Sequence, residues 1–231
     1  MYKRQVLASI CAAYVEVNDY AAEDLPILRQ RMALILGEPA LQAHSQVRYA
    51  AVDRVVAAHV ARRTGVTPDA LVPRLVATST RAAATTAFEV WLADGQSSLG
   101  TVLHQAFDEL AAAPADQPVL SAICAAYVEV NDYADADLPM LRQRMRLILT
   151  EPALQAHSQV RYADVDRVVA EHVARRTGAR AGDLLPRLVA TTTRAAATTA
   201  FEAWLADPEL SPASALRSAF AELAGGFPAL R

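Results

Sequence analysis

Residues 138–178 read LPMLRQRMRLILTEPALQAHSQVRYADVDRVVAEHVARRTG, and residues 25–65 read LPILRQRMALILGEPALQAHSQVRYAAVDRVVAAHVARRTG. Both lines carry a proline second, a Glu-Pro in the middle and a glycine last. Proline in the first turn of a helix costs little, because its missing N–H has no helical partner there. The residue before a proline avoids the helical region, and glycine closes helices in a left-handed cap. Each line is therefore two helices. In the first, Leu138, Leu141, Met145 and Ile148 recur at helical spacing, with Asp137 as a candidate N-cap.

The identity extends on both sides. A shift of 113 aligns residues 6–94 with 119–207 without a gap, and 72 of those 89 positions are identical. Solenoid repeats recur every 20–50 residues or so, so this unit is a duplicated domain. The expected division is a leader at 1–5, a first domain at 6–110, a linker at 111–118 and a second domain at 119–231. Each unit reads as about five helices. In the second copy the first runs from Pro118 to about Tyr133 and the second from Asp137 to Glu151. The third covers Pro152 to Thr177, the fourth Asp183 to Ala206 and the fifth Pro212 to Ala224. Nothing alternates with a period of two over a useful length. The fold class is all-α.

Composition agrees. The chain has 231 residues, a formal net charge of −3 and 53% hydrophobic residues. Its 50 alanines against 8 glycines favour helix. The mild acidity argues against a surface built for nucleic acid or membrane. Two cysteines form no disulfide scaffold and fit a reducing compartment, so a cytoplasmic location is expected. The basic start followed by VLASICAAYV imitates a signal peptide. The same segment returns inside the chain as VLSAICAAYV at 119–128, so it belongs to the domain. Lys3, the sole lysine beside 21 arginines, lies in the leader outside the repeat, which suggests a non-native remnant.

The stretch R-x-R-M-x-L-I-L-x-E-P-A-L, the Y-A…D helix and the A-x-E-A-W-L-A-D ending resemble the C-terminal, ligand-binding and dimerisation domain of TetR-type (tetracycline-repressor family) transcriptional regulators. The resemblance is to the actinobacterial branch that includes mycofactocin-system regulators. It appears at 138–178 and Ala200–Asp207, and again at Arg29–Leu41, Tyr49–Asp53 and Ala87–Asp94. It implies two tandem five-helix bundles, a small-molecule effector and no enzymatic activity. It further implies that the last two helices of each copy pair into a four-helix bundle, within one chain or between two. Val76, Ala83, Phe107, Val189, Ala196 and Phe220 are the candidate dimerisation residues. The fifth helix of the first copy is expected to end near Ala113 and the next to begin near Pro118. The five or so residues between span at most about 17 Å, which would strain pairing within the chain. No helix-turn-helix signature is present, so operator DNA would be reached only through a missing N-terminal domain. A module that hetero-dimerises with intact regulators is the alternative reading, and a helical-bundle enzyme or carrier the third.

The fourth helix carries one polar stripe, Arg187, Thr191, Arg194, Thr198 and Glu202, on an otherwise apolar surface. It is either a central core helix or one that also pairs with the other copy. On the third helix the stripe Leu154, Ser158, Arg161, Val165, Val168 and His172 is expected to face inward, with Asp164 and Glu171 outward. An unpaired buried arginine is costly, so Arg161 and its equivalent Arg48 meet either a ligand or an internal carboxylate, or reach the rim. The candidate pocket comprises Tyr14, Met32, Arg48, Tyr49, His59 and Arg81 in the first copy. Its counterparts are Tyr127, Met145, Arg161, Tyr162, His172 and Arg194 in the second. This set suits a long apolar ligand with an anionic or hydrogen-bonding head, such as an acyl thioester. Neither metal nor cofactor is expected. His157 and His172 lack ligand spacing, and Cys11 and Cys124 sit at equivalent apolar positions with no histidine near in sequence.

Overall fold

The computed structural model describes residues 2–112, 118–227 and 230. The first copy contains α1 (Tyr2–Glu16), α2 (Leu25–Gly37), α3 (Pro39–Thr64), α4 (Leu71–Asp94) and α5 (Leu99–Ala112). The second contains α6 (Pro118–Val130), α7 (Leu138–Thr150), α8 (Pro152–Thr177), α9 (Leu184–Ala206) and α10 (Pro212–Ala224). One 3-10 turn, Asp135–Asp137, precedes α7, and no strand occurs among the described residues. Residues 2–5, expected as a leader, form the first turn of α1. The expected linker gives up its ends, since Ala111 and Ala112 finish α5 and Pro118 opens α6. Residues 113–117 lie outside the described residues.

The sequence signals act as expected at most boundaries. Pro26, Pro39, Pro139, Pro152 and Pro212 sit in first turns. Gly65 and Gly178 end α3 and α8 at φ +74°, where any side chain would be strained. Two details differ. α6 stops at Val130 rather than Tyr133, because the Asn131 side chain donates to the Tyr127 carbonyl at 2.7 Å and takes over a C-terminal acceptor. Asp137 makes no side-chain cap, because its backbone is already helical at the end of the 3-10 turn.

In each copy the long fourth helix is the spine. α3 and α5 pack on α4, and α8 and α10 pack on α9. The buried cores hold Trp91, Leu75 and Leu103 in one copy and Trp204, Leu188 and Leu216 in the other. Arg29 stacks over the Trp91 ring at 4.0 Å and donates to the Trp91 carbonyl at 2.9 Å. Arg142 repeats this on Trp204, at 4.5 Å and 2.8 Å. A cation placed at the carbonyl end of a helix also meets the negative end of its dipole. This is how α2 and α7 are held to α4 and α9.

The two copies pair within the chain. α4 crosses α9, with further contacts of α10 on α4, α5 on α9 and α3 on α8. The linker length, which spoke against such pairing, does not prevent it. Val76, Ala83 and Ala196 are fully buried in the common core and Val189 packs against it, half-buried. Phe107 and Phe220 are buried too, each against its own copy's tyrosine, Tyr14 at 5.5 Å and Tyr127 at 5.3 Å.

The reading of the α8 surface needs correction. Val165 and Val168 are exposed, Val168 at 55%, and Arg161 is exposed with them. In α3 the equivalent Val52, Val55 and Arg48 are exposed as well, Val55 at 70%. The buried side runs instead through Ala170, Val173 and Ala174, and through Val56, Ala57, Val60 and Ala61. That side also carries Asp166 and Asp53, both half-buried. They tolerate the interior because each finds an arginine there.

Candidate functional site

Four threonine and arginine bonds tie α4 to α9. Arg74 pairs with Glu202, and Arg187 with Glu89. Between them Thr78 meets Thr199 at 2.9 Å, and Thr86 meets Thr191 at 2.8 Å. Each step forward on α4 is a step back on α9, so the helices run antiparallel. Every bond has a counterpart 113 residues on, which is the mark of an isologous contact about a two-fold axis. The register places Ala82 and Ala195 at the crossing. Threonines buried inside a helix satisfy their own hydroxyls on the preceding turn, as Thr80 does on Val76 at 2.8 Å and Thr193 on Val189 at 2.8 Å.

Beside this crossing a cleft of about 1370 Å³ opens between the copies. Its floor is the polar stripe of α9 and the same stripe of α4: Arg74, Thr78, Arg81, Thr85 and Glu89. Its walls are α3 and α8, with Tyr49 and Tyr162, and the ends of α2 and α7, with Ile35, Leu36, Ile148 and Leu149. The cleft belongs equally to both copies.

Each wall is fastened to the floor by one ion pair. Arg81 donates its Nε–H to both carboxylate oxygens of Asp53, at 3.1 and 3.0 Å. Arg194 does the same to Asp166, at 3.1 and 2.9 Å, and lies 6.0 Å from the Tyr162 ring centre. Burial raises the pKa of Asp53, Asp166, Glu89 and Glu202 above the ordinary carboxylate value, against the opposing pull of their arginines.

Of the twelve candidate pocket residues, Tyr49, Arg81, Tyr162 and Arg194 line this cleft. Tyr14 and Tyr127 lie behind it, close enough for the charges of Asp53 and Asp166 to act on their phenols. The Tyr14 hydroxyl is buried without a hydrogen-bond partner among the described residues. Met32 and Met145 are half-buried against the core. His59 and His172 are half-buried outside the cleft. His59 Nε2 lies 3.4 Å from the Ser9 hydroxyl, and burial beside Arg63 and Arg62 lowers its pKa. Arg48 and Arg161 are exposed and do not line it.

The residues missed by sequence reasoning are Asp53, Asp166 and the two cross-copy pairs. The signal for the two pairs was present, because Arg187 and Glu202 stand on the stripe that the helical wheel isolates. One further correction concerns Cys11, whose sulfur lies 3.5 Å from His104 Nδ1, a neighbour 93 residues away in sequence. Burial pushes that thiol up to about 11, so the proximity makes no nucleophile. Among the described residues no cluster of His, Cys, Asp and Glu could hold a metal ion, and no helix is long and apolar enough to cross a membrane.

Comparison with known proteins follows the same division. The family described as the MftR C-terminal domain matches residues 4–115 and again residues 117–228. A mycofactocin biosynthesis transcriptional regulator of Mycobacterium tuberculosis, MftR, is 39% identical over 105 residues. That alignment takes in 46% of this chain and 53% of the relative, so the chain spans about half the length of the curated protein it matches.

Proposed function

Because the chain belongs, in both of its halves, to the MftR C-terminal domain family of TetR-type regulators, we propose that it is the effector-sensing and dimerisation region of a transcriptional regulator. Its effector is a small apolar or acyl-type molecule with a polar head. DNA is reached only through a helix-turn-helix domain that the sequence does not display. Both copies would contribute to one sensing unit. Of the candidate pocket residues Tyr49, Arg81, Tyr162 and Arg194 line its cleft, and Val76, Ala83, Phe107, Val189, Ala196 and Phe220 hold the paired bundle in shape.

The observation that supports this reading is the cleft shared by the two copies, walled by α3 and α8 and floored by the pairing helices. A molecule seated there touches the two elements whose relative position defines the dimer, which is what coupling between two sites requires. The test is native mass spectrometry and thermal shift of the whole chain against saturated acyl compounds of increasing length. The expected result is a bound adduct and a raised melting temperature that grows with chain length. No adduct with any of them, together with a stable mixed complex formed with an intact relative, would replace this reading by that of an interaction module.

A further inference from the structure

We propose that the shared cleft holds one oxyanion head per chain, a doubly charged phosphate-type or dicarboxylate group, gripped from both sides by Arg81 and Arg194. This rests on the reading of the cleft as the effector site and adds the head group and the stoichiometry.

The register of α4 against α9 places Ala82 and Ala195 on the pseudo-two-fold axis, so Arg81 and Arg194 each stand one residue from it. At about 1.5 Å rise per residue their backbones are separated along the helices by only about 3 Å. Both side chains enter the same cleft. Each leans towards its own wall, Arg81 towards Asp53 on α3 and Arg194 towards Asp166 on α8. The two guanidinium groups therefore stand on opposite sides of the axis, each beside its own wall and both lining the one cleft.

Their bonding leaves the recognition edge open. Each spends its Nε–H on its aspartate, and neither terminal Nη nitrogen has a partner among the described residues. The aspartate fixes the plane of the fork without covering it. A planar fork with paired N–H groups matches the edge of a carboxylate or phosphate, and the bond is charge-assisted. An anion with acceptor oxygens on opposite sides meets both forks at once. A singly headed carboxylate would satisfy one and leave the other.

The cleft is lined by Arg54, Arg74, Arg81, Arg167, Arg187 and Arg194 against Asp53, Asp69, Asp166, Glu89 and Glu202, so the head is held by the geometry of the two forks rather than by a large excess of charge. Size agrees with a shared site. At about 1370 Å³ the cleft exceeds the usual 300–1,000 Å³ of a small-molecule pocket, as expected of a site built by two copies together. One cavity on one axis gives one head per chain rather than one per copy.

The experiment is isothermal titration of the whole chain with inorganic pyrophosphate and, separately, with glutarate, which distinguishes a phosphate-type from a dicarboxylate head. One molecule of at least one probe should bind per chain. Arg81→Lys and Arg194→Lys, which keep the charge but lose the fork, should each weaken it by about tenfold and by similar factors. The Asp53→Asn/Arg81→Gln double variant removes the pair without leaving a charge unpartnered and should weaken binding at least as much. Circular dichroism melts confirm that each variant is folded, and Arg175→Lys, an exposed residue away from the cleft, serves as the unaffected control. Two molecules per chain, unchanged affinity in the lysine variants, or no heat from either probe at millimolar concentration would overturn the proposal. An acyl compound that still binds the Arg81→Lys/Arg194→Lys variant at full strength would do so too, while leaving the effector reading intact. Anion binding without any acyl binding would have the opposite effect.

Discussion

Asp53 and Asp166 show at the scale of one residue why part of this molecule was legible and part was not. A carboxylate inside a helix votes for solvent in any periodicity count, yet these two sit on the buried side of α3 and α8. Only a partner 28 residues ahead, Arg81 or Arg194, makes the burial tolerable. No local pattern contains that information. Tyr14, Tyr49, Tyr127 and Tyr162 were easier, since a tyrosine at helical spacing is placed inside by its ring whatever its hydroxyl does. The same burial gives a prediction. Desolvation, with Asp166 adding to it and Arg194 opposing, pushes the Tyr127 phenol up to about 12 from an ordinary 10.0. The unfolded chain loses this proton near pH 10 while the folded chain keeps it. The stabilisation is complete below pH 10 and is lost as pH rises from there to about 12. Urea midpoints measured from neutral pH into that window should fall. Tyr127→Phe should flatten the fall, and an unchanged slope would show that the phenol ionises as freely when folded.

At the scale of elements, boundaries were readable because prolines and glycines act on their own backbone. Partners were not, because α4 and α9 carry the same stripe and could serve a core or an interface equally well. The structure answers with reciprocal bonds: Arg74 to Glu202, Arg187 to Glu89, and a threonine pair inside each. The ion pairs are about a third exposed, so each contributes on the order of 0.2–1 kcal/mol. They also favour this register, since a slip would part each arginine from its glutamate. Arg74→Glu should therefore destabilise the chain by about 1 kcal/mol in chemical denaturation. The exchange Arg74→Glu/Glu202→Arg should restore most of that loss. Failure of the exchange to rescue would mean that the two side chains act independently.

For the whole molecule the repeat was visible at once, and with it the all-α class and the count of two domains. Whether the copies serve each other or another chain was beyond the sequence, since identical surfaces pair equally well either way. In the folded chain α4 and α9 occupy each other, which leaves neither pairing helix open to a second chain. The expected species in light scattering coupled to gel filtration is a single chain of 24.8 kDa across the usual concentration range. A concentration-dependent shift to twice that mass would indicate exchange of copies between chains.

The tandem arrangement has one more consequence. When two identical polypeptides build a two-fold site, each codon is read into both sides, and neither rim can be altered alone. Here a codon reaches one side only. At the cleft the chain has already used this freedom: Pro68 and Asp69 on one rim face Ala181 and Gly182 on the other, and Thr150 stands where the first copy has Gly37. The anchoring residues are alike on both sides while the entrances differ. A guest with unlike ends can thus be told which way round to lie, a distinction no strictly symmetric pair of subunits can make.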